Sequence, residues 1–277
     1  MGNWERLVWN QREVLLEGFL VTLHVCALAF AAAILGGLAL CLVRMHVRPL
    51  RPLATLLVEF FRATPIFVQL MWVNYVWPEL FGWPNSFFTA GWVALALQSS
   101  GYLAETFRAG IEAVPRGQRE AGEAVGMGPA LVMARIVLPQ VALTTAPAIV
   151  NQFTVIVKSS TLVSVITVQD LMFQSQKLVN VWYEPIEILT ATAAIYIAFV
   201  FGLRLREAPV RRAAAALRHR LGLSRGLAPG MKNPGGSPRR GPGPRERGPD
   251  YSSRLRAVVT RRAGRSARSG TGRSRRS

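Results

Sequence analysis

A long apolar run near the N-terminus constrains the fold more than any other feature of the sequence. Residues 19–43 are 25 consecutive positions at which only Thr22 and His24 interrupt apolar side chains and glycines. About 20 apolar residues in a helix suffice to cross a hydrocarbon core of roughly 30 Å. The run therefore predicts a membrane-spanning helix. Because the N-terminus lacks the basic region and small-residue cleavage site of a secretory signal, we expect this helix to be retained.

Four later segments complete the predicted membrane domain. Residues 186–204 are apolar enough to span on their own. The other three segments contain charged or amide side chains, and each alone could be a buried helix of a soluble protein. The full set of predicted spans is 19–43, 53–77, 87–106, 138–165 and 186–204.

The basic residues between these segments predict their orientation. Lys and Arg concentrate in the cytoplasmic loops of membrane proteins. The first connection carries three Arg and the third carries four, whereas the second carries none and the fourth only Lys177. Four or six spans would break this alternation. We therefore predict an all-α integral membrane fold with five transmembrane helices, an N-terminus outside and a cytoplasmic C-terminus.

The net positive charge is confined to the C-terminal part of the chain. Residues 1–203 hold 12 Lys or Arg and 12 Asp or Glu, whereas residues 204–277 hold 21 and 3, which accounts for the net charge of +18. A Gly-, Pro- and Arg-rich extension of this kind cannot bury a core. A nucleic-acid-binding protein would explain the tail but not the spans. We therefore expect no nucleic-acid partner, and at most weak attraction of the tail to anionic lipid.

These observations divide the chain into three parts. Residues 1–17 are predicted to be an extracytoplasmic segment, and residues 18–205 a transmembrane domain with a cytoplasmic loop at 107–137. Residues 206–277 are predicted to be a basic, disordered cytoplasmic tail.

The third loop carries its own helix signals. Pro115 and Gly117 interrupt the preceding helix, and a short helix is predicted over residues 118–125. Glycines at 126 and 128 provide a left-handed stop, and Pro129 suits the first turn of a new helix. The short helix has a narrow face of small apolar residues and gains little from internal ion pairs. Docking on a partner explains this pattern better than self-stabilisation.

The residues Glu120-Ala121-Gly122, Gly126 and Ile136-x-Leu138-Pro139 resemble the EAA motif of ABC importer permeases. The resemblance implies a type I ABC importer permease fold in which the loop forms a coupling helix that docks in a groove of an ATPase. Gly122 stands where the family usually has Ala. Because Gly costs a helix up to about 1 kcal/mol relative to Ala, we expect a softer helix here. The coupling residues implied by the resemblance are Gly117, Glu120, Ala121, Gly122 and Gly126.

Further stretches resemble the polar amino acid branch of these permeases. They are Gly18-x-x-x-Thr22-Leu23, Phe61 to Pro65 with Gln69, Arg108 to Ile111, Asn151 to Phe153, and Lys158 to Ile166. The resemblance implies import of a polar amino acid, or a related small zwitterion, across the bacterial cytoplasmic membrane. It also implies ATPase subunits, a second permease subunit and an extracytoplasmic solute-binding protein as partners. An often acidic position of this branch is Ser159 here.

Polar side chains at span depth are candidates for the solute pathway, because charges there usually face the bundle interior or a wet cavity. Glu59 and Arg62 are three residues apart, which favours an ion pair along one helix face over a solute contact. Lys158 among hydroxyls suits a carboxylate-bearing solute, but it could equally snorkel to the outer interface. The pathway candidates are Arg62, Thr64, Gln69, Asn151, Gln152, Lys158, Ser159 and Thr161.

The sequence offers no sign of chemistry within this chain. No G-x-x-x-x-G-K-[ST] phosphate loop occurs, and no nucleophile and base or carboxylate pair is placed as a catalyst. Cys26 and Cys41 would lie about 22 Å apart in a helix, too far to bridge, and nothing near them has metal-ligand spacing. We expect no enzyme activity, cofactor or metal. The alternative to an ABC permease is an ATP-independent channel or secondary transporter, which would not explain the loop.

Overall fold

The computed structural model describes residues 10–220, and every element in that range is helical. A single 3₁₀ turn at Arg48–Leu50 joins the first two helices. In chain order the helices are α1 (Arg12–His46), α2 (Arg51–Ala63), α3 (Ile66–Phe81), α4 (Phe87–Glu112), α5 (Arg116–Ala124), α6 (Pro129–Ile166), α7 (Leu171–Trp182) and α8 (Pro185–Arg220).

Helix α4 occupies the centre of the bundle and packs against α1, α2, α3 and α6. Small side chains allow its close approach to α1. A Cβ added to Gly37 would lie 2.8 Å from the Cβ of Leu103 and 3.0 Å from the backbone nitrogen of Ala104. Small residues at helix interfaces let backbones approach closely in membranes, where packing rather than water exclusion drives association. Cys26 and Cys41 are both buried and free of disulfides, as predicted.

Within residues 10–220, three helices are long and apolar enough to cross a membrane: Arg12–His46, Pro129–Ile166 and Pro185–Arg206. They contain the first, fourth and fifth predicted spans. The third predicted span lies in α4, which has the required length but carries Glu105 and buried Ser99 and Ser100. A helix covered by its neighbours need not be uniformly apolar, because little of it faces lipid. The five-span count and the orientation stay predictions.

The second predicted span, 53–77, is broken. Arg48–Ala63 and Ile66–Phe81 are inclined at 108° to one another. The break falls at Thr64, which has an extended backbone with ψ of 127°, and at Pro65. Proline disfavours the helical conformation of the residue before it, so the helix ends there. The sequence predicts one uninterrupted span here, whereas the structure has a bent pair of helices.

Two predicted boundaries also change. Helix α8 continues to Arg220, past the predicted start of the tail at residue 206, and the division of the chain into three parts stays a prediction. The remainder of the predicted tail, 221–277, lies outside the described residues. Helix α1 begins at Arg12, so part of the predicted N-terminal segment 1–17 is helical, and residues 1–9 lie outside the described range.

Candidate functional site

The short loop helix predicted from the sequence is α5, and its two ends are formed by the residues that predicted them. It begins directly after Pro115 and ends before Gly126, whose φ is +83°. The Met127 amide donates to the Gly122 carbonyl at 3.1 Å and the Gly126 amide to the Glu123 carbonyl at 3.0 Å. This is the Schellman arrangement, which requires a residue with positive φ and therefore favours Gly. Pro129 opens the first turn of α6, as predicted.

One face of α5 is exposed and small. Glu120, Ala121, Ala124 and Val125 are all exposed, and the Val125 side chain retains 77% of its accessible surface. A Cβ added to Gly117 would meet nothing within 4 Å. The described chain therefore leaves this face open, as expected of a surface that docks on another protein.

Gly122 lies on the opposite face of α5, where it packs against another helix. It is the buried residue of α5, and a Cβ there would lie 2.8 Å from Cδ1 of Ile136 and 3.0 Å from Cγ2 of Val132. The missing methyl thus allows α5 to press against the start of α6. Gly122 supports the exposed face from behind instead of forming part of it.

Two further contacts fix α5 to the bundle. The Nη2 atom of Arg119 donates to the carbonyl oxygen of Ile111 on α4 at 2.8 Å. Beneath α5, a second apolar cluster joins the ends of α1, α4 and α6 through Cys41, Ile111 and Val137. Helix α5 is therefore attached to α4 through Arg119 and to α6 through Gly122.

A network of charges braces the same end of the bundle. The Nη1 atom of Arg44 on α1 lies 3.0 Å from Oε2 of Glu105 on α4, and Arg108 Nε donates to Glu105 Oε1 at 3.1 Å. Arg108 also pairs with Glu112. Hydrogen bonds to Glu105 and Glu112 raise the pKa of Arg108 above its usual range, so its charge is permanent. Arg108 belongs to a stretch singled out in the sequence, whereas its partner Glu105, which lies 61 residues after Arg44, does not.

A cleft of about 500 Å³ lies between α6 and α8. It brings Lys158 and Thr161, two predicted pathway residues, together with Arg204 and Tyr196 of the last helix. The α8 residues at 196, 197, 200, 201 and 204 follow helical three- and four-residue spacing, so they share one face. Lys158 thus lies beside the middle and C-terminal half of the predicted last span, not at its outer end. Lys158 is exposed within the described chain, so the choice between a pathway role and snorkelling stays a prediction.

The other predicted pathway residues are dispersed. Arg62 Nη1 lies 3.3 Å from Glu59 Oε1, which confirms the predicted pair, and its guanidinium is 5.5 Å from the ring centroid of Tyr102. The Thr64 hydroxyl donates to the Phe60 carbonyl at 2.7 Å and so satisfies the end of α2. These residues belong to the break between α2 and α3 and do not line the cleft.

Three amide side chains and Ser159, all predicted pathway residues, differ in their burial and hydrogen bonding. Gln152 Nε2 donates to Ser99 Oγ at 3.3 Å, an interhelical hydrogen bond between α6 and α4. Asn151 is exposed, and Ser159 is half-buried next to Lys158. Gln69 is completely buried, and neither polar atom of its amide has a hydrogen-bond partner within the part of the chain that the structure describes.

Asp170 is a residue that the sequence analysis missed. It is fully buried at the start of α7, and its Oδ1 accepts from the Phe173 amide at 2.9 Å. Burial raises the pKa of Asp170 to about 7. The signal that could have found it is an Asp directly before the apolar run Leu171-Met172-Phe173, which is the pattern of a helix N-cap.

The start of α7 sits on the Gly18-x-x-x-Thr22 stretch of α1. The Leu171 amide donates to the Thr22 hydroxyl at 3.1 Å, and a Cβ on Gly18 would lie 2.9 Å from the Leu171 Cα. The motif noted in the sequence thus has a packing explanation, since only Gly admits the α7 backbone so close to α1.

Comparison with known proteins gives matches over most of the chain. Residues 29–210 match the family described as binding-protein-dependent transport system inner membrane components. The arginine transport system permease protein ArtQ of Bacillus subtilis is 34% identical over 199 residues, which are 72% of this chain and 91% of ArtQ. The putative glutamine transport system permease protein GlnP of Rickettsia conorii is 37% identical over 164 residues, which are 58% of this chain and 75% of GlnP.

Solved structures agree with these matches. A crystal structure of an amino acid ABC transporter with histidines superposes with a TM-score of 0.70 at 34% identity, covering 76% of this chain and 99% of that one. An inward-facing structure of the MetNI methionine ABC transporter reaches a TM-score of 0.63 at 17% identity, covering 75% and 98%. The second likeness concerns the fold alone.

Proposed function

Since this chain belongs to the family of binding-protein-dependent transport system inner membrane components, we propose that it is the permease subunit of an ATP-driven importer for a polar amino acid or a related small zwitterion. The observation that carries the proposal is α5, an exposed small-residue helix held rigidly at one end of a membrane bundle. The names of the similar arginine and glutamine permeases support the solute class.

The proposed partners follow from what the chain lacks and what it exposes. The sequence given contains no phosphate loop, so ATP hydrolysis is assigned to the proposed ATPase. The face formed by Glu120, Ala121 and Val125 is the proposed docking site for that ATPase. A second permease subunit and an extracytoplasmic solute-binding protein complete the proposed assembly in the cytoplasmic membrane.

The attachments of α5 suggest how ATPase closure reaches the solute. A displaced α5 cannot move alone, because Arg119 holds the carbonyl of Ile111 on α4 and Gly122 packs against α6. Motion of the ATPase would therefore shift the ends of α4 and α6 together. Helix α6 carries Lys158 towards its other end, on the wall of the cleft. Rigid helices that connect two sites are suitable carriers of such coupling.

The proposed solute pathway includes the cleft between α6 and α8. Lys158 supplies a cation for a carboxylate. The volume of the cleft, about 500 Å³, is in the range of small-molecule sites. Thr161 lies on the same wall and already donates its hydroxyl proton to the Lys158 carbonyl at 2.8 Å. Its oxygen is left to accept a hydrogen bond, for example from the ammonium group of an amino acid.

Co-purification with an ATPase tests the proposal. We expect the chain, co-expressed with its ATPase and binding protein, to form a complex whose ATP hydrolysis is stimulated by an amino acid. Ala121→Arg should abolish both properties, because a long charged side chain on the small face blocks docking without touching the bundle. Gln176→Arg, on the exposed face of α7, is the matched control and should retain both.

Two results would contradict the proposal. One is an Ala121→Arg variant that binds the ATPase as well as the wild-type chain does. The other is solute uptake into vesicles that contain this chain without any ATPase, which is the behaviour of a channel or secondary transporter.

A further inference from the structure

The cleft between α6 and α8 has an uneven charge. Two cations, Lys158 and Arg204, belong to its lining, and its remaining lining residues are uncharged. The ion pairs of the described side chains all involve other residues, so neither cation is neutralised by a carboxylate within the part of the chain that the structure shows. The residue next to Lys158 is Ser159, which adds no negative charge.

An acidic group on a neighbouring element, Asp170, does not change this balance. Asp170 on α7 acts electrostatically on Tyr196 of the cleft wall. It is fully buried, its Oδ1 is engaged by the Phe173 amide, and burial favours its neutral form. Glu187 on α8 lies nine residues before Tyr196 in the sequence, about 14 Å along a helix. Among the side chains that the structure describes, the cleft lining therefore carries two positive charges and no negative one; Glu207, three residues after Arg204 in the sequence, has a side chain outside that description.

An unpaired Lys at span depth is costly unless something compensates its charge. A carboxylate of the solute can supply that compensation, whereas a cationic side chain would meet two like charges. The apolar part of the wall, formed by Ile197, Val200 and Phe201, suits the methylene groups between the charged ends of an amino acid.

We propose that this cleft selects solutes of net negative charge, such as an acidic amino acid, over neutral and cationic amino acids. The inference rests on the proposed function, because it assumes that the solute of the importer passes through this cleft. Lys158 and Arg204 are then the residues that determine specificity for charge.

Binding to the purified permease and ATPase complex in lipid nanodiscs, without binding protein, tests the inference. L-glutamate, L-glutamine and L-arginine are compared by saturation-transfer NMR. We expect glutamate to bind at least about tenfold more tightly than arginine, with glutamine between them, because charge complementarity dominates the difference. Lys158→Met should remove most of the preference, and Lys158→Arg should restore it. Lys177→Met, an exposed lysine on α7 outside the cleft, is the matched control and should leave it unchanged.

Three results would overturn the inference: arginine binding as tightly as glutamate, a glutamate preference that survives both Lys158→Met and Arg204→Gln, or no binding of any of the three solutes. Each is distinguishable from failure of the proposed function, because recovery of the ATPase with the chain is measured in the same preparation. A complex that forms but prefers arginine refutes only the charge selectivity. Absence of an ATPase refutes the importer itself.

Discussion

Gly122→Ala is a sharp test of the packing beneath the coupling helix, because two effects of opposite sign meet at one methyl group. In an isolated helix, Ala is more favourable than Gly by up to about 1 kcal/mol. In the folded chain the added Cβ would lie 2.8 Å from Cδ1 of Ile136 and 3.0 Å from Cγ2 of Val132. Overpacking of this kind costs about 1–3 kcal/mol.

The balance of these terms predicts a net loss. The Cδ1 of Ile136 is the end of a flexible side chain and can retreat, but Val132 is buried and stiff at χ1. Taking the middle of the overpacking range, we expect α5 to lose about 1 kcal/mol, which is a factor of about 5 in its opening equilibrium. Amide hydrogen exchange of residues 116–124, with the purified chain in nanodiscs, measures this change.

A second substitution separates the clash from a general loss of order. Ile136→Val removes the Cδ1 atom and alone costs about 0.5–1.5 kcal/mol. The double variant lacks the closest contact. Its amide exchange should therefore be slower than the two single effects added together predict, and the difference should correspond to a coupling energy of about 1 kcal/mol. Slower exchange in Gly122→Ala alone, or strict additivity of the two changes, would refute the contact between Gly122 and α6.

Three other predictions concern thermal unfolding of the chain in detergent. Gly18→Ala should destabilise by about 2–3 kcal/mol, since its Cβ would meet the backbone of Leu171 at 2.9 Å and backbone cannot retreat as a side chain can; a wild-type melting temperature would contradict this. Arg44→Met and Glu105→Gln should show a coupling of about 1 kcal/mol in a double-mutant cycle, because the pair is only partly exposed; zero coupling would remove the brace between α1 and α4. For Asp170, burial raises the pKa from 3.8 to about 7, so the native state binds its proton more tightly than the unfolded state does. Its contribution to stability is fully present below about pH 4 and is lost as the pH rises through about 7, whereas Asp170→Asn keeps an N-cap and should lack this decline.

Helix α5 shows how much of the structure could be predicted from the sequence. Pro115, Gly126 and Pro129 predicted its bounds, and the spacing of the loop identified the family that the comparisons then confirmed. The same reasoning treated Gly122 only as a residue that softens the helix. Its neighbours are Ile136 and Val132 on α6. The direction that α6 takes after Gly128 cannot be predicted from local backbone preferences.

The cleft and the start of α7 show what could not be predicted from the sequence. Lys158 was a candidate with two equal interpretations, and its position in the same cleft as Arg204 was not predicted. Asp170 was not identified, because its burial depends on Gly18, a residue more than 150 positions earlier in the chain. Sequence spacing within one helix gives no measure of such distances.

The sequence by itself determined that the chain crosses a membrane, roughly where α5 begins and ends, and to which family the chain belongs. These properties depend on the apolarity of contiguous residues and on the backbone limits of Pro and Gly, which act over a few positions. The tertiary structure decided which face of α5 is free, that α2 and α3 meet at 108°, and that two cations share one cleft. Those properties depend on close approach between helices far apart in the chain, where a single missing methyl group sets the distance.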